Sequence, residues 1–293
     1  MNKCKPEIDI KYSNTISKLF SSALFKDLAT ESLSRINYIQ KVYDEAFSSS
    51  STLTIEDFFN ASYNHLKSEY KSEYLYKNEL IKQVVLKKHK LIDTSIFTEF
   101  PCSISKADLL TVNGTTTVYE IKTELDTLNR LTEQIDSYSK TFARVNIVTY
   151  SKNIKKIESL IKNKNVGILT YNPQSNKIET INESIEDLSN LDSKCMFNVL
   201  RMNEYKEIIK TEYGKVPNVL NTEIYSRCYN LFSKLTIEKQ HQWIVRQLGN
   251  RKINDYQLSF SNRLPTSLKT LAITRPLNIK ECDNIEKFLK YTL

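Results

Sequence analysis

The sequence predicts an α/β protein in which helices flank a mixed β-sheet. Between residues 92 and 171, stretches rich in Val, Ile, Thr and Tyr alternate with stretches whose apolar residues recur every three or four positions. The pair Asn113-Gly114 separates two of the strand-like stretches, which is typical of a β-hairpin. The resulting order is helix, three strands, helix, strand, helix and strand, which indicates an α/β sandwich.

The first part of the chain is predicted to be helical. Residues 11–47 carry apolar side chains at three-four spacing. Thr54, followed by Asp57 three residues later, predicts the start of a second helix, because a threonine hydroxyl accepts from the free N–H groups of a first turn. A further helical stretch covers residues 66–88.

The centre of the chain contains the predicted sheet. Strands are expected over residues 97–103, 106–112, 115–122, 145–149 and 166–171, and helices over residues 128–142 and 153–163. The sequence becomes polar after Pro173, and its apolar residues follow helical periodicity from about Cys195. We therefore predict an N-terminal helical region (1–64), an α/β core (65–172) and a mainly helical C-terminal domain (173–293).

Composition limits the class of protein. Hydrophobic residues make up 40% of the 293, so the chain can form a core. The chain has no apolar run of about 18 residues, so no membrane span is expected. Five scattered cysteines without a CxxC pair argue against disulfides or a zinc site. With no apolar segment behind Met1 to suggest a secretory signal, we expect a cytoplasmic protein.

The positive charge is concentrated near the end of the chain. The net charge is +8, and residues 201–293 hold 16 Lys and Arg against 9 Asp and Glu. This asymmetry favours contact with a polyanion such as nucleic acid, and a soluble basic surface is the alternative. Arg246, Arg251 and Lys252 lie around a predicted helix and are candidate phosphate contacts, whereas Trp243 in that helix is expected to be a core anchor.

One group of residues has the composition of a metal site. Asp108 precedes the predicted hairpin turn, and Glu120 and Lys122 follow it. Carboxylates are hard ligands suited to Mg²⁺, and a metal next to a phosphate can activate a water molecule. A lysine beside that water can stabilise negative charge. The alternative is a hairpin whose charges face solvent.

The hairpin register decides whether these side chains meet. A two-residue loop would place Glu120 on the opposite face of the sheet from Asp108. A three-residue loop over residues 112–114 pairs Thr111 with Thr115 and brings the two carboxylates to one face as diagonal neighbours. We predict this bulged loop, and a five-residue loop would satisfy the same parity.

The stretch from Ser72 to Thr149 resembles the PD-(D/E)XK nuclease superfamily, in particular the bacterial sce7726 family. Ala107 stands where the superfamily name has proline. The resemblance implies a restriction-endonuclease-like αβββαβ core with a mixed sheet. The residues that carry it are Glu73, Lys77, Asn78, Lys106, Asp108, Tyr119, Glu120, Lys122, Asp126, Arg130, Leu131, Gln134 and Tyr138.

The same resemblance implies a set of site residues. Asp108 and Glu120 would hold Mg²⁺ or Mn²⁺, and Lys122 would orient the attacking water. Gln134 and Tyr138 match a RecB-like QxxxY element that contacts the nucleic-acid strand, although Tyr138 also fits a core position. The first core helix would add an acid as a further catalytic and metal residue. Candidates for it are Glu73, which we prefer, and Glu69, with Glu99 on the first strand as a third. Candidate phosphate contacts near the core are Lys106 and Arg130.

The resemblance implies a Mg²⁺-dependent deoxyribonuclease, with a role in phage defence or a mobile element. Two alternatives stay open. One is a catalytically silent DNA-binding or regulatory protein that retains the fold. The other is a protein-interaction module of the immunity type. Homo-oligomerisation or a regulatory protein partner is compatible with each of them.

Overall fold

The computed structural model describes residues 8–30, 33–47, 53–172 and 174–293, without the side chains of residues 33–36. The chain forms two compact units. Unit 1 comprises Met1–Val84, Pro173–Asn176 and Ile253–Leu293, and unit 2 comprises Val85–Asn172 and Lys177–Lys252. These boundaries differ from the predicted divisions at residues 64 and 172, because the two ends of the chain share one unit.

Unit 2 contains a six-stranded sheet with the strand order β1-β2-β3-β4-β5-β6. Its strands are β1 (Ser95–Cys102), β2 (Ser105–Asn113), β3 (Thr115–Lys122), β4 (Arg144–Thr149), β5 (Val166–Asn172) and β6 (Lys177–Asn182). β3, β4 and β5 run parallel, whereas β1, β2 and β6 pair antiparallel to their neighbours. The sheet is therefore mixed, as predicted.

The helices are α1 (Ser13–Ser17), α2 (Ser22–Ala29), α3 (Leu33–Ala46), α4 (Ile55–Glu69), α5 (Glu73–Leu80), α6 (Leu86–Lys88), α7 (Leu131–Ser139), α8 (Ile154–Leu160), α9 (Ser193–Asn198), α10 (Met202–Tyr213), α11 (Asn221–Phe232), α12 (Ile237–Gly249), α13 (Asp255–Arg263), α14 (Thr266–Ile273) and α15 (Ile279–Leu289). A π-helical segment, Ile81–Val85, joins α5 to α6. No helix in the described part of the chain is long and apolar enough to cross a membrane.

Unit 1 is helical and its core joins both ends of the chain. Apolar side chains of α1–α5 pack with those of α13–α15 in one cluster that includes Phe20, Phe59, Phe260 and Phe288. Thr54 accepts from the N–H of Asp57 at 3.1 Å, so the predicted N-cap of α4 is confirmed. This core explains why the C-terminal helices belong to unit 1.

Unit 2 is a sheet covered by helices. Residues of β2, β3 and β4 share an apolar cluster with α7 and with the helices α9–α12. The buried side chains of α7 are spaced by three and four, at Leu131, Ile135 and Tyr138. These contacts place one face of α7 against the sheet beside the carboxyl end of β3.

Three predicted elements differ from the structure. Residues 11–47 form several short helices, because Ser21 caps α2 at the Leu24 N–H. The helix predicted over residues 66–88 is interrupted at Tyr70–Ser72, where the Ser72 N–H donates to the Tyr70 carbonyl at 2.8 Å. β6 lies in a segment predicted to be polar and irregular, because nearly all of its side chains are exposed and it lacks the alternation of a half-buried strand.

Candidate functional site

The β2–β3 hairpin brings Asp108 and Glu120 to one face of the sheet. The innermost pair is Asn113 with Thr115, which flank Gly114 in a left-handed conformation (φ 70°), so the hairpin does not have the predicted three-residue loop over residues 112–114. The register differs by two residues from the predicted one, in which Thr111 pairs with Thr115. Because a shift of two preserves the alternation of side chains, the face that Asp108 and Glu120 share is unchanged.

Glu120 is the centre of a buried hydrogen-bond network. Its Oε1 accepts from Lys122 Nζ at 2.6 Å and from Gln134 Nε2 at 2.5 Å. Its Oε2 accepts from the Tyr138 hydroxyl at 2.7 Å. Three donors from β3 and α7 thus converge on one carboxylate whose side chain is only 2% exposed.

Tyr138 is fixed within this network. Its side chain is fully buried, and its hydroxyl also contacts the backbone carbonyl of Lys106 at 2.7 Å. Burial and the neighbouring negative charge of Glu120 raise the pKa of Tyr138 well above its ordinary value, so the hydroxyl stays protonated and donates. Tyr138 therefore holds α7 to the sheet, in the core position that the sequence also allowed, and its contact with a nucleic-acid strand stays a prediction.

The network satisfies Glu120 without a metal. The Lys122 ammonium already supplies a positive charge to the carboxylate, and the remaining oxygen accepts from Tyr138. A divalent cation at Glu120 would lie beside the lysine ammonium, which like-charge repulsion opposes. The surroundings of Glu120 therefore do not favour its acting as a metal ligand, and we assign no chemical step to Mg²⁺ or Mn²⁺.

Asp108 has a backbone partner. The Ile121 N–H donates to its Oδ2 at 2.7 Å, which ties β2 to the end of β3. On the other side, Glu99 of β1 lies between two residues that pair with the immediate neighbours of Asp108. The carboxylates of Glu99 and Asp108 lie within 4.8 Å of each other.

Glu73, the preferred third acid, lies in unit 1. It is the first residue of α5, and its carboxylate is 2.5 Å from the Lys77 ammonium one turn later. Its side chain is about half exposed. This contact is an ordinary helical ion pair.

The predicted phosphate contacts fall into two groups. Lys106, Arg130, Arg246 and Lys252 are exposed. Arg251 is different, because its guanidinium donates to both carboxylate oxygens of Glu204, at 2.7 and 2.5 Å, and to the Val199 carbonyl. These donors hold α10 to the end of α12, and a phosphate contact of Arg251 stays a prediction.

Sequence reasoning missed the acidic partners in this region. Glu204 binds Arg251, and Glu212 accepts from the Trp243 indole N–H at 2.6 Å. Trp243 is a buried anchor, as predicted. The role of Glu204 as a capping residue could have been predicted from the sequence, because a glutamate at the third position of a helix commonly accepts from the N-cap N–H. In α10 Glu204 holds this position and accepts from the Arg201 N–H.

A cavity of about 530 Å³ lies elsewhere in unit 2. Most of its polar groups pair with one another or with the nearby chain: Asp187 accepts from Ser189 and Asn190, Asn165 binds both backbone groups of Ile185, and Lys164 pairs with Asp136. Its polar lining is therefore explained by local structure.

The fold is that of an α/β protein in which the buried carboxylate of Glu120 accepts from three side chains. The family model of the bacteriophage P4 protein cII matches residues 66–272, and the chain belongs to this family. Protein cII of Enterobacteria phage P4 is 25% identical over 194 residues, which cover 64% of this chain and 72% of that protein. No solved structure matches the chain.

These matches overturn two expectations. The resemblance to the sce7726 nucleases is wrong, because the family that the chain matches is that of the phage P4 protein cII. The expectation of a Mg²⁺-dependent deoxyribonuclease is wrong with it, because neither the matched family nor the matched relative is a known nuclease. In the structure Lys122, Gln134 and Tyr138 donate to Glu120, whereas Asp108 accepts from the backbone N–H of Ile121.

Proposed function

We propose that this chain is a DNA-binding regulatory protein that acts without catalysis. The observation that carries the proposal is the charge of residues 193–252, which contain α9–α12 and which we call the helical lobe. The helical lobe holds eleven Lys and Arg against five Glu. A surface with this balance attracts the phosphate backbone independently of sequence.

The ion pairs leave most of this positive charge unneutralised. Three of the five glutamates already have basic partners: Glu204 with Arg251, Glu207 with Arg246 and Glu212 with Lys239. Two glutamates therefore remain against eight basic residues within this fully described segment. The eight are Lys194, Arg201, Lys206, Lys210, Lys215, Arg227, Lys234 and Lys252.

A protein that binds DNA without cutting it can regulate by occupying a site on the DNA. The Glu120 carboxylate supports this interpretation, because it already accepts from three side chains and has the Lys122 ammonium beside it. The chain order α5, β1, β2, β3, α7 and β4 fits a silent core of the PD-(D/E)XK type, and we propose that relationship for the fold alone. Binding of Mg²⁺ or Mn²⁺ at Asp108 stays a prediction, which the network around Glu120 does not favour.

The proposal is tested by measuring binding to a fluorescein-labelled 30-base-pair duplex of arbitrary sequence by anisotropy, at salt concentrations from 50 to 200 mM. We expect affinity to fall steeply with salt, because each phosphate contact releases about 0.9 counterion. The double variant Lys206→Ala/Lys210→Ala on α10 is expected to bind more weakly and with a shallower salt slope.

The matched control is Lys155→Ala/Lys156→Ala on α8, which removes the same charge outside the helical lobe. Equal losses in both variants would show that net charge, and not this surface, governs binding. No binding at 50 mM salt would refute the proposal and favour the protein-interaction module. Adding Mg²⁺ or EDTA is expected to leave the labelled duplex intact.

A further inference from the structure

The exposed face of α12 carries polar side chains, most of them basic or carboxamide groups, with one carboxylate, Glu238, in the first turn. Its buried face, which includes His241, Trp243 and Ile244, packs on the apolar cluster of unit 2. The opposite face presents a row of polar residues at spacings of three and four. These are Lys239, Gln242, Arg246 and Asn250, all of them exposed.

These residue types read base edges in duplex DNA. An arginine fits guanine O6 and N7 with two parallel N–H donors, and a glutamine or asparagine fits adenine N6 and N7. The major groove, about 12 Å wide, admits a single α-helix. We therefore propose that α12 is a recognition helix, with Gln242, Arg246 and Asn250 contacting bases in the major groove.

The helix is held firmly enough to position such contacts. The Trp243 indole donates to Glu212 of α10, and the His241 ring lies 3.2 Å from the Thr116 hydroxyl of β3. The Arg246 guanidinium lies over the Trp243 ring, 4.9 Å from its centroid. Stacking limits the orientations of the guanidinium before any DNA is present, which reduces the entropy lost on binding.

Existing ion pairs on this face do not block the contact. Arg246 lies 3.9 Å from the carboxylate of Glu207, and both side chains are about half exposed or more, so this pair is weak and readily exchanged. Lys239 pairs with Glu212 at 3.3 Å, and for that reason we do not count it among the residues that contact bases. Phosphate contacts would come from neighbouring basic residues such as Lys210 and Lys252.

The end of α12 is open to a close approach. Gly249 is the last residue of the helix, and a Cβ added to it would meet no atom within 4 Å. No packing contact within unit 2 therefore requires glycine at this position. The absence of a side chain leaves room for a sugar-phosphate backbone beside Asn250.

This inference rests on the proposed DNA binding and adds sequence preference to it. The test is selection of bound duplexes from a randomised 20-base-pair library, followed by sequencing and by affinity measurements on enriched and unselected duplexes. We expect the wild-type protein to enrich a motif that contains guanine and adenine. We expect Arg246→Lys to retain binding to unselected DNA while losing about tenfold or more of its preference for the motif, because lysine keeps the charge but not the bidentate donors.

Gln242→Ala is the second reading variant, and it is expected to relax preference at a different base position. Asn230→Ala, an exposed change on α11, is the matched control and is expected to keep the wild-type motif. Binding of unselected DNA by the wild type without enrichment would overturn the recognition helix and leave the proposed function standing. Absence of any DNA binding would overturn both, and an unchanged motif in Arg246→Lys and Gln242→Ala would overturn the assignment to α12.

Discussion

Removing the Glu120 carboxylate is expected to destabilise unit 2 strongly. In Glu120→Ala the donors Gln134 and Tyr138 lose their acceptor, and the Lys122 ammonium is left without its counter-ion. The Lys122 side chain is 11% exposed, so water does not replace the lost partner fully. Breaking one side of a buried ion pair costs about 3–5 kcal/mol, and we expect the free energy of unfolding to fall by that amount.

The assay is urea unfolding followed by far-UV circular dichroism, with Glu124→Ala as the control. Glu124 is exposed two residues after Lys122, so its removal is expected to change stability by less than about 0.5 kcal/mol. The double variant Glu120→Ala/Lys122→Met is expected to be more stable than Glu120→Ala, because it also removes the unpaired charge.

A catalytic carboxylate would behave in the opposite way. Active-site groups are held at a cost to stability, so their removal is commonly neutral or stabilising. If Glu120→Ala lowers the free energy of unfolding by less than about 1 kcal/mol, or raises it, the structural role assigned to Glu120 is refuted.

Three further changes test the packing of unit 2. Gly167→Ala is expected to cost about 1–3 kcal/mol in urea unfolding, because the added Cβ would lie 2.8 Å from the backbone nitrogen of Ser184 and would also clash with the Asn146 side chain on the neighbouring strand; an unchanged midpoint would contradict this close contact. Gly249→Ala is expected to stabilise by about 0.5–1 kcal/mol in the same assay, because alanine favours the helix and its Cβ meets nothing; a loss of stability would show that the glycine is required by the fold. Burial lowers the pKa of His241 more than the charge of Glu186 raises it, so the folded state resists protonation. The urea midpoint is therefore expected to fall as the pH drops below about 6.5, the ordinary histidine value, and His241→Gln should flatten that dependence; a midpoint that rises on acidification would exclude this assignment.

The parts of the fold that sequence predicts best are those with a local cause. The strand Thr115–Lys122 is predicted with its observed bounds, because β-branched residues follow a turn that contains glycine. β6 is missed because its side chains are mostly exposed, so hydrophobic alternation cannot mark it. The two compact units do not follow the predicted divisions, because α13–α15 pack with α1–α5 and local sequence patterns do not show contacts between residues so far apart along the chain.

The candidate site shows the same limit. Alternation along the strands places Asp108 and Glu120 on one face, and helical spacing places Gln134 and Tyr138 together. Neither pattern states what the carboxylate binds, because a metal, a lysine or a tyrosine hydroxyl can each satisfy it. The nuclease interpretation assumed that the carboxylate binds a metal. In the structure Lys122 and two side chains of α7 donate to it.

The shared core of unit 1 has a consequence for the growing chain. Unit 2 ends at Lys252, so all its residues have been synthesised while the last 41 residues, Ile253–Leu293, are still to be added. At about 5–20 residues per second, translation of that segment takes roughly 2–8 s. During this time the apolar faces of α2 and α4, including Leu24, Phe58 and Phe59, lack their C-terminal partners. A stop codon shortly after Lys252 would make that exposure permanent, so we expect such truncated chains to aggregate or be degraded even though unit 2 is complete.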